Sequence, residues 1–253
     1  MTSDFEPLPE ASEPLPPPND WRREVVWGPR EVIQGLALGA AAVLFIPIIA
    51  LVVAALMGID VTDSKRSQQV ALAASLPFEL TLLAIVVALT VFKTHASWRS
   101  LGFRPLPLRM IWVPAAVLVG AFVAVEGYAT IAQAIGGDKF LPQSTLEEDL
   151  LDERAFVVLA GVLALVLAPL MEETFFRGFL FGGLSKRFSF FTAALISGFL
   201  FSLAHGQPTT LIPFTFVGMC FAAGYAYTGS LWTTIAAHFM FNLISFAAAL
   251  ATR

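Results

Sequence analysis

Two carboxylates and a guanidinium stand together in Ala168-Pro169-Leu170-Met171-Glu172-Glu173-Thr174-Phe175-Phe176-Arg177-Gly178, inside a run otherwise as apolar as a membrane-spanning helix. Ionisable groups at that depth cost roughly 2.5 to 3.5 kcal/mol each on insertion scales, so they are kept for a partner or a task. On a helix, residues four apart lie about 40° apart around the axis and neighbours about 100°. Glu173 and Arg177 therefore share a face and are placed for a buried ion pair, each neutralising the other. Glu172 points elsewhere. A carboxylate withdrawn from water and without a local partner is the kind of group that serves as a general base.

Two further polar constellations follow in later apolar runs. His205 ends Phe201-Ser202-Leu203-Ala204-His205, with Phe201 one turn back on the same face and able to pack the imidazole. His238 and Asn242, in His238-Phe239-Met240-Phe241-Asn242, are also four apart and share a face. At about 1.5 Å of rise per residue, Glu172 lies ~18 Å from the cytoplasmic end of its helix, His205 ~25 Å, and His238 and Asn242 ~14 to 20 Å. These groups can therefore converge at one level of a bundle. A lone intramembrane His or Asn is usually interhelical hydrogen-bond glue; several at helical spacing and shared depth favour a site. Glu79, just after Pro77, and Glu126 are weaker cases: either could line a water-filled cavity, but near-surface snorkelling or a hydrogen bond to a neighbouring helix explains them at least as well, and both stay outside the expected site.

The elements that must position these residues are all helical. Of 253 residues 57% are hydrophobic and 13% charged, and the apolar residues come in runs of about 20, the length that crosses a ~30 Å hydrocarbon core. The expected fold is all-α: a polytopic transmembrane bundle of about seven spans, with eight as the alternative count. The spans fall near 32–57, 70–92, 109–135, 155–184, 189–206, 210–228 and 231–251. Pro169 removes a backbone donor from the fourth and is expected to kink it just before the carboxylates. Gly178 and Gly182, spaced small-x-x-x-small, suit close helix packing.

Residues 1–30 are assigned to a disordered, Pro-rich tail, densest in proline up to Pro18, and 31–253 to a membrane-embedded helical domain whose site-bearing part is about 150–250. The start lacks a signal-peptide pattern, since the first long apolar run begins near Ile33. If the tail is cytoplasmic, Arg22, Arg23, Arg30, Lys93, Arg99, Arg104, Arg109, Lys186 and Arg187 lie inside, against Lys65, Arg66, Lys139, Arg154 and Arg253 outside. This excess favours an integral protein of the plasma membrane with its N-terminus inside, and the odd span count puts the C-terminus outside. The basic loop 93–109 reads as an anchor facing anionic lipid headgroups, and the acidic loop 136–154 as a solvated connection. His95, alone in the basic loop, reads as structural. The net charge of -4 suggests no nucleic-acid partner, and the single cysteine, Cys220, rules out an internal disulfide and a cysteine-based metal cluster.

Glu172-Glu173-x-x-x-Arg177, Phe201-x-x-x-His205 and His238-x-x-x-Asn242, in this order on separate apolar segments, resemble the CPBP family of CAAX proteases and bacteriocin-processing enzymes, whose eukaryotic branch contains the type II CAAX prenyl endopeptidases. The resemblance covers about residues 150–250, and none of its positions is substituted. It implies an intramembrane endopeptidase acting on a membrane-associated protein or peptide, with site roles on Glu172, Glu173, Arg177, His205, His238 and Asn242. Glu172 with His205 would activate a water, His238 with Asn242 would stabilise the oxyanion of the tetrahedral intermediate, and Glu173 held by Arg177 would orient the site. The family is commonly labelled a metalloprotease, and Glu172, His205 and His238 match the His₂Glu ligand set of catalytic zinc. Against this, there is no His-Glu-x-x-His helix, and the same residues could activate water directly. Both mechanisms stay open here, as does the oligomeric state. Two other functions compete: a non-catalytic immunity or scaffold protein of the same fold, and a proton-coupled transporter, which would call for an inverted repeat that the chain does not display.

Overall fold

A computed structural model describes residues 21–141 and 153–251. Proline-rich residues 1–20, most of the acidic loop 136–154, and Arg253 lie outside the described residues, so the expectations placed on them are not addressed. Among the described residues the fold is all helical, with α1 (Pro29–Leu56), α2 (Ser64–Phe92), α3 (Val113–Gly136), α4 (Arg154–Leu184), α5 (Phe190–Ala204), α6 (Leu211–Thr228) and α7 (Leu231–Ala251). Six of these helical runs are long and apolar enough to cross a membrane, and α5 is a shorter apolar helix, in keeping with about seven spans. On α1 the large apolar side chains point outward, Leu44, Phe45, Ile48 and Ile49 among them, as they do on a helix solvated by lipid.

Helix ends follow local chemistry. Asp63 caps α2 by accepting from the Arg66 backbone N–H at 2.9 Å, Ser189 caps α5 by accepting from Thr192 N–H at 3.3 Å, and Gly229, in the left-handed region at φ 66°, ends α6. Interruption of α4 takes the form of two π-helical stretches, Leu163–Leu167 and Thr174–Phe181, on either side of the segment Ala168–Glu173. In the first stretch the Ala168 N–H reaches back to Leu163 O rather than to Ala164 O. In the same register Ala164 O would receive from residue 169, but Pro169 has no N–H. The orphaned carbonyl accepts instead from Asn242 Nδ2 of α7 at 2.7 Å.

Close approach of α5 and α6 supplies the other constraint. A Cβ at Gly218 would stand 2.6 Å from the Gly198 Cα and 3.3 Å from Arg177 Nη2, so only the bare backbone at this crossing lets α6 come down on the arginine. Gly178 packs closely against helix α7 and a loop, where a Cβ would meet Leu231 at 3.3 Å and the Leu101 carbonyl at 2.8 Å, and a Cβ on Gly182 would meet Trp27 at 3.3 Å. They accommodate a loop and the N-terminal arm.

That arm corrects the tail boundary of residue 30. Residues 21–28 pack under the bundle, with Trp21, Val25 and Trp27 buried. The Trp21 and Trp27 indoles donate to Ala226 O at 3.1 Å and Phe179 O at 2.8 Å, and Lys186 Nζ donates to Val25 O at 2.8 Å. Proline density stops at Pro18, and two tryptophans bury enough apolar area to offset the entropy of ordering the arm. The basic loop is also tied to the chain at Lys93 and Arg104. Arg104 bonds Glu24 at 3.1 Å and Lys93 pairs with Glu31 at 3.0 Å, the Tyr225 hydroxyl donates to Leu101 O, and Arg109 is left exposed.

Trp27→Ala should lower stability by about 3–5 kcal/mol through the void it leaves, whereas Trp27→Phe, which keeps most of the ring and loses the indole N–H, should cost about 1 kcal/mol. Thermal unfolding in detergent micelles separates the two.

Candidate active site

The centre of the bundle is organised on Glu173. Its Oε1 accepts from Arg177 Nη1 at 2.8 Å, with both side chains fully buried, and from His238 Nδ1 at 3.0 Å. Because the carboxylate only accepts, His238 carries its proton on Nδ1, and Nε2 is turned toward Glu172 Oε2 at 4.0 Å. The guanidinium is further held by Gly218 O, at 3.4 Å from Nη2, and lies over the rings of Phe201 and Phe221, 4.3 and 5.0 Å from their centroids. A charge pair at this depth is tolerable because both ions are paired and bonded to one another.

Phe201 is the hub on α5. Its ring stands 4.8 Å from the His205 ring and 5.8 Å from the His238 ring, so one phenyl spaces the two imidazoles and also carries Arg177. His205 closes α5 at its C-terminus, half-buried, with the ring against Phe214 at 5.0 Å. Its Nδ1 donates to Phe201 O at 2.8 Å, which leaves Nε2 as an acceptor in the neutral ring.

The structure thus brings Glu173, Arg177 and His238 into direct contact, sets Glu172 beside His238, and holds His205 at the rim. Among the described residues His205 forms neither a hydrogen bond nor an ion pair with Glu172. Nδ2 of Asn242 is engaged by Ala164 O. The metal expectation can be tested on this arrangement: among the described residues no group of three or more His, Cys, Asp and Glu side chains is placed to hold a metal ion. The donors Glu172, His205 and His238 do not fit a metal as they stand, and no step below runs through one.

Glu79, which sequence reasoning set aside, belongs here. It is buried on α2, 5% exposed, and its carboxyl interacts electrostatically with that of Glu172. The signal was present as an acidic residue within an apolar run, but a single such residue gives no direction, and only the packing of α2 against the Ala168–Glu173 segment shows which way it faces. Glu126, by contrast, is exposed on α3.

Residues 154–244, which contain all six expected site residues, match the family model of the type II CAAX prenyl endopeptidase Rce1-like group. These residues belong to that family. Among curated proteins, the Bacillus subtilis (strain 168) "Putative membrane peptidase YdiL" is 30% identical over 166 residues, 64% of this chain and 66% of its own length. An Escherichia coli protein, "Uncharacterized 24.3 kDa protein", is 28% identical over 169 residues, 61% of this chain and 72% of its own. The chain therefore spans just under two thirds of the first of these relatives. No solved structure gives a significant match. Glu79 lies outside the Rce1-like region, on a helix that packs against it.

Arg177→Ala would leave the Glu173 carboxylate buried without its cation and should destabilise the protein by about 3–5 kcal/mol. In the double variant Glu173→Ala/Arg177→Ala the loss should be well short of additive, as thermal unfolding of the four proteins in a mutant cycle would show.

Proposed function

We propose that this protein is an intramembrane endopeptidase that hydrolyses a peptide bond of a membrane-associated protein or peptide, with CAAX-type processing the reaction its family suggests. The observation that carries the reading is Glu172: a carboxylate whose Oε2 is buried without a donor, next to an imidazole, at the centre of an apolar bundle and within the Rce1-like region. In this reading the Glu172 carboxylate takes a proton from water as the oxygen attacks the scissile carbonyl. His205, with Nε2 left as an acceptor, orients that water.

Negative charge then develops on the carbonyl oxygen. His238, in its imidazolium form, donates to it from Nε2 while Glu173 keeps Nδ1 in place. Asn242 adds its second amide hydrogen, the first being held by Ala164 O. Arg177 offsets the charge of Glu173, so the orienting carboxylate can be kept buried at this depth. Collapse of the intermediate breaks the C–N bond, and the proton on Glu172 passes to the leaving amine. The bundle would sit in the plasma membrane with its N-terminus in the cytoplasm, as the distribution of basic residues suggests.

Glu172→Gln and His205→Ala should each slow cleavage by about 10²- to 10⁴-fold with folding and insertion intact. Mapping new peptide termini in membranes from cells that express wild type or either variant measures this. Undiminished cleavage in the Glu172→Gln cells would sink the assignment and favour the non-catalytic immunity or scaffold reading.

A further inference from the structure

Besides Glu172 and Glu173, which the reaction above uses, a third acidic residue of the bundle has a buried oxygen without a donor. Glu79 enters the bundle from α2, 5% exposed and with no cation in contact with it among the described residues. Its Oε2 and that of Glu172 are both buried without a hydrogen-bond donor. The two carboxyl groups act on each other electrostatically across the contact of α2 with the Ala168–Glu173 segment of α4. A carboxylate only accepts, so two in contact are a repulsive pair of unsatisfied acceptors unless a proton lies between them. One proton turns the pair into a donor and an acceptor, and it satisfies an oxygen on each side.

Geometry adds a second reason. Glu172 sits on α4 in a short α-helical segment between two π-helical stretches, so the regular backbone ladder is interrupted on either side of it. Its neighbours on that segment leave it unsupported: Glu173 is committed to Arg177 and His238, and His238 Nε2 is 4.0 Å away, too far for a hydrogen bond. Glu79, whose Oε2 is likewise buried without a donor, comes to the Glu172 carboxyl from a different helix.

We propose that Glu79 is a positioning residue of this site: its carboxyl group hydrogen-bonds that of Glu172 and fixes the direction in which Glu172 faces the attacking water. The inference rests on the endopeptidase reading and deepens it. α2 then becomes part of the active centre, although it lies outside the region that matches the family. The hydrogen bond needs a donor on Glu79 or on Glu172, and an amide in place of the Glu79 carboxyl supplies one permanently.

The test uses the full chain in proteoliposomes and a peptide that wild type cleaves. Glu79→Ala and Glu79→Leu should lower kcat about 10- to 100-fold through misplacement of the base, with KM within about twofold of wild type. Glu79→Gln, which still donates to Glu172, should recover most of kcat. A merely structural role would not separate Gln from Ala and Leu in this way. As a readout independent of turnover, wild type should show the infrared carbonyl band of a hydrogen-bonded carboxylic acid, and the band should be lost in both Glu79→Gln and Glu172→Gln. The proposal is overturned if Glu79→Ala or Glu79→Leu, folded, keeps the wild-type kcat, if Glu79→Gln is as slow as they are, or if the band is absent from wild type. Full activity in Glu172→Gln would instead overturn the endopeptidase reading, so the two failures can be told apart.

Discussion

Glu173 Oε1 receives hydrogen bonds from both Arg177 and His238, and deep in an apolar bundle this single oxygen constrains the helices around it. An isolated ion at such depth is very costly, and its cost falls only when a partner is held close and in good geometry. α4 provides the carboxylate and the guanidinium, α7 the imidazole, α6 a carbonyl for the arginine, and α5 the phenyl ring beneath it. The bare contact of Gly198 with Gly218 is what lets α6 deliver that carbonyl. Polar centre and apolar packing are in this sense one arrangement. A substitution that moves α5 from α6 also moves the cation that neutralises Glu173.

Proline in α4 has consequences well beyond a bend. By lacking an N–H, Pro169 leaves the Ala164 carbonyl without a backbone donor, and in an apolar medium such a group must be satisfied from elsewhere. Asn242 supplies the donor, which locks α7 onto α4 beside the site. The second π-helical stretch likewise offers carbonyls to side chains from other segments: Phe176 O accepts from Ser197 and Phe179 O from Trp27. α4 is irregular where it carries chemistry, and it is supported there from α5, from α7 and from the N-terminal arm.

Much of this was legible from residue types and spacing. Four-residue spacing implied the pairing of Glu173 with Arg177 and the separation of Glu172 from both, because a helix converts sequence separation into angle. Runs of about 20 apolar residues implied the all-helical membrane fold. The arm at 21–28 was less legible, since its polar and proline-adjacent composition conceals that Trp21, Val25 and Trp27 share one packed surface. The pairing of Lys93 and Arg104 in the basic loop was hidden for a similar reason: their partners Glu31 and Glu24 are distant in sequence.

Sequence by itself determined what lies within one helix: which side chains share a face, how far along it each polar group sits, and where proline removes a donor. Those are local consequences of covalent geometry and a fixed helical rise. Tertiary structure alone decided what depends on the rotation of one helix against another. His238 rather than His205 stands next to Glu172, Asn242 is held by a carbonyl of α4, and Glu79 is drawn in from α2. Helix rotation is set by packing summed over many side chains, and no single spacing in the chain encodes it.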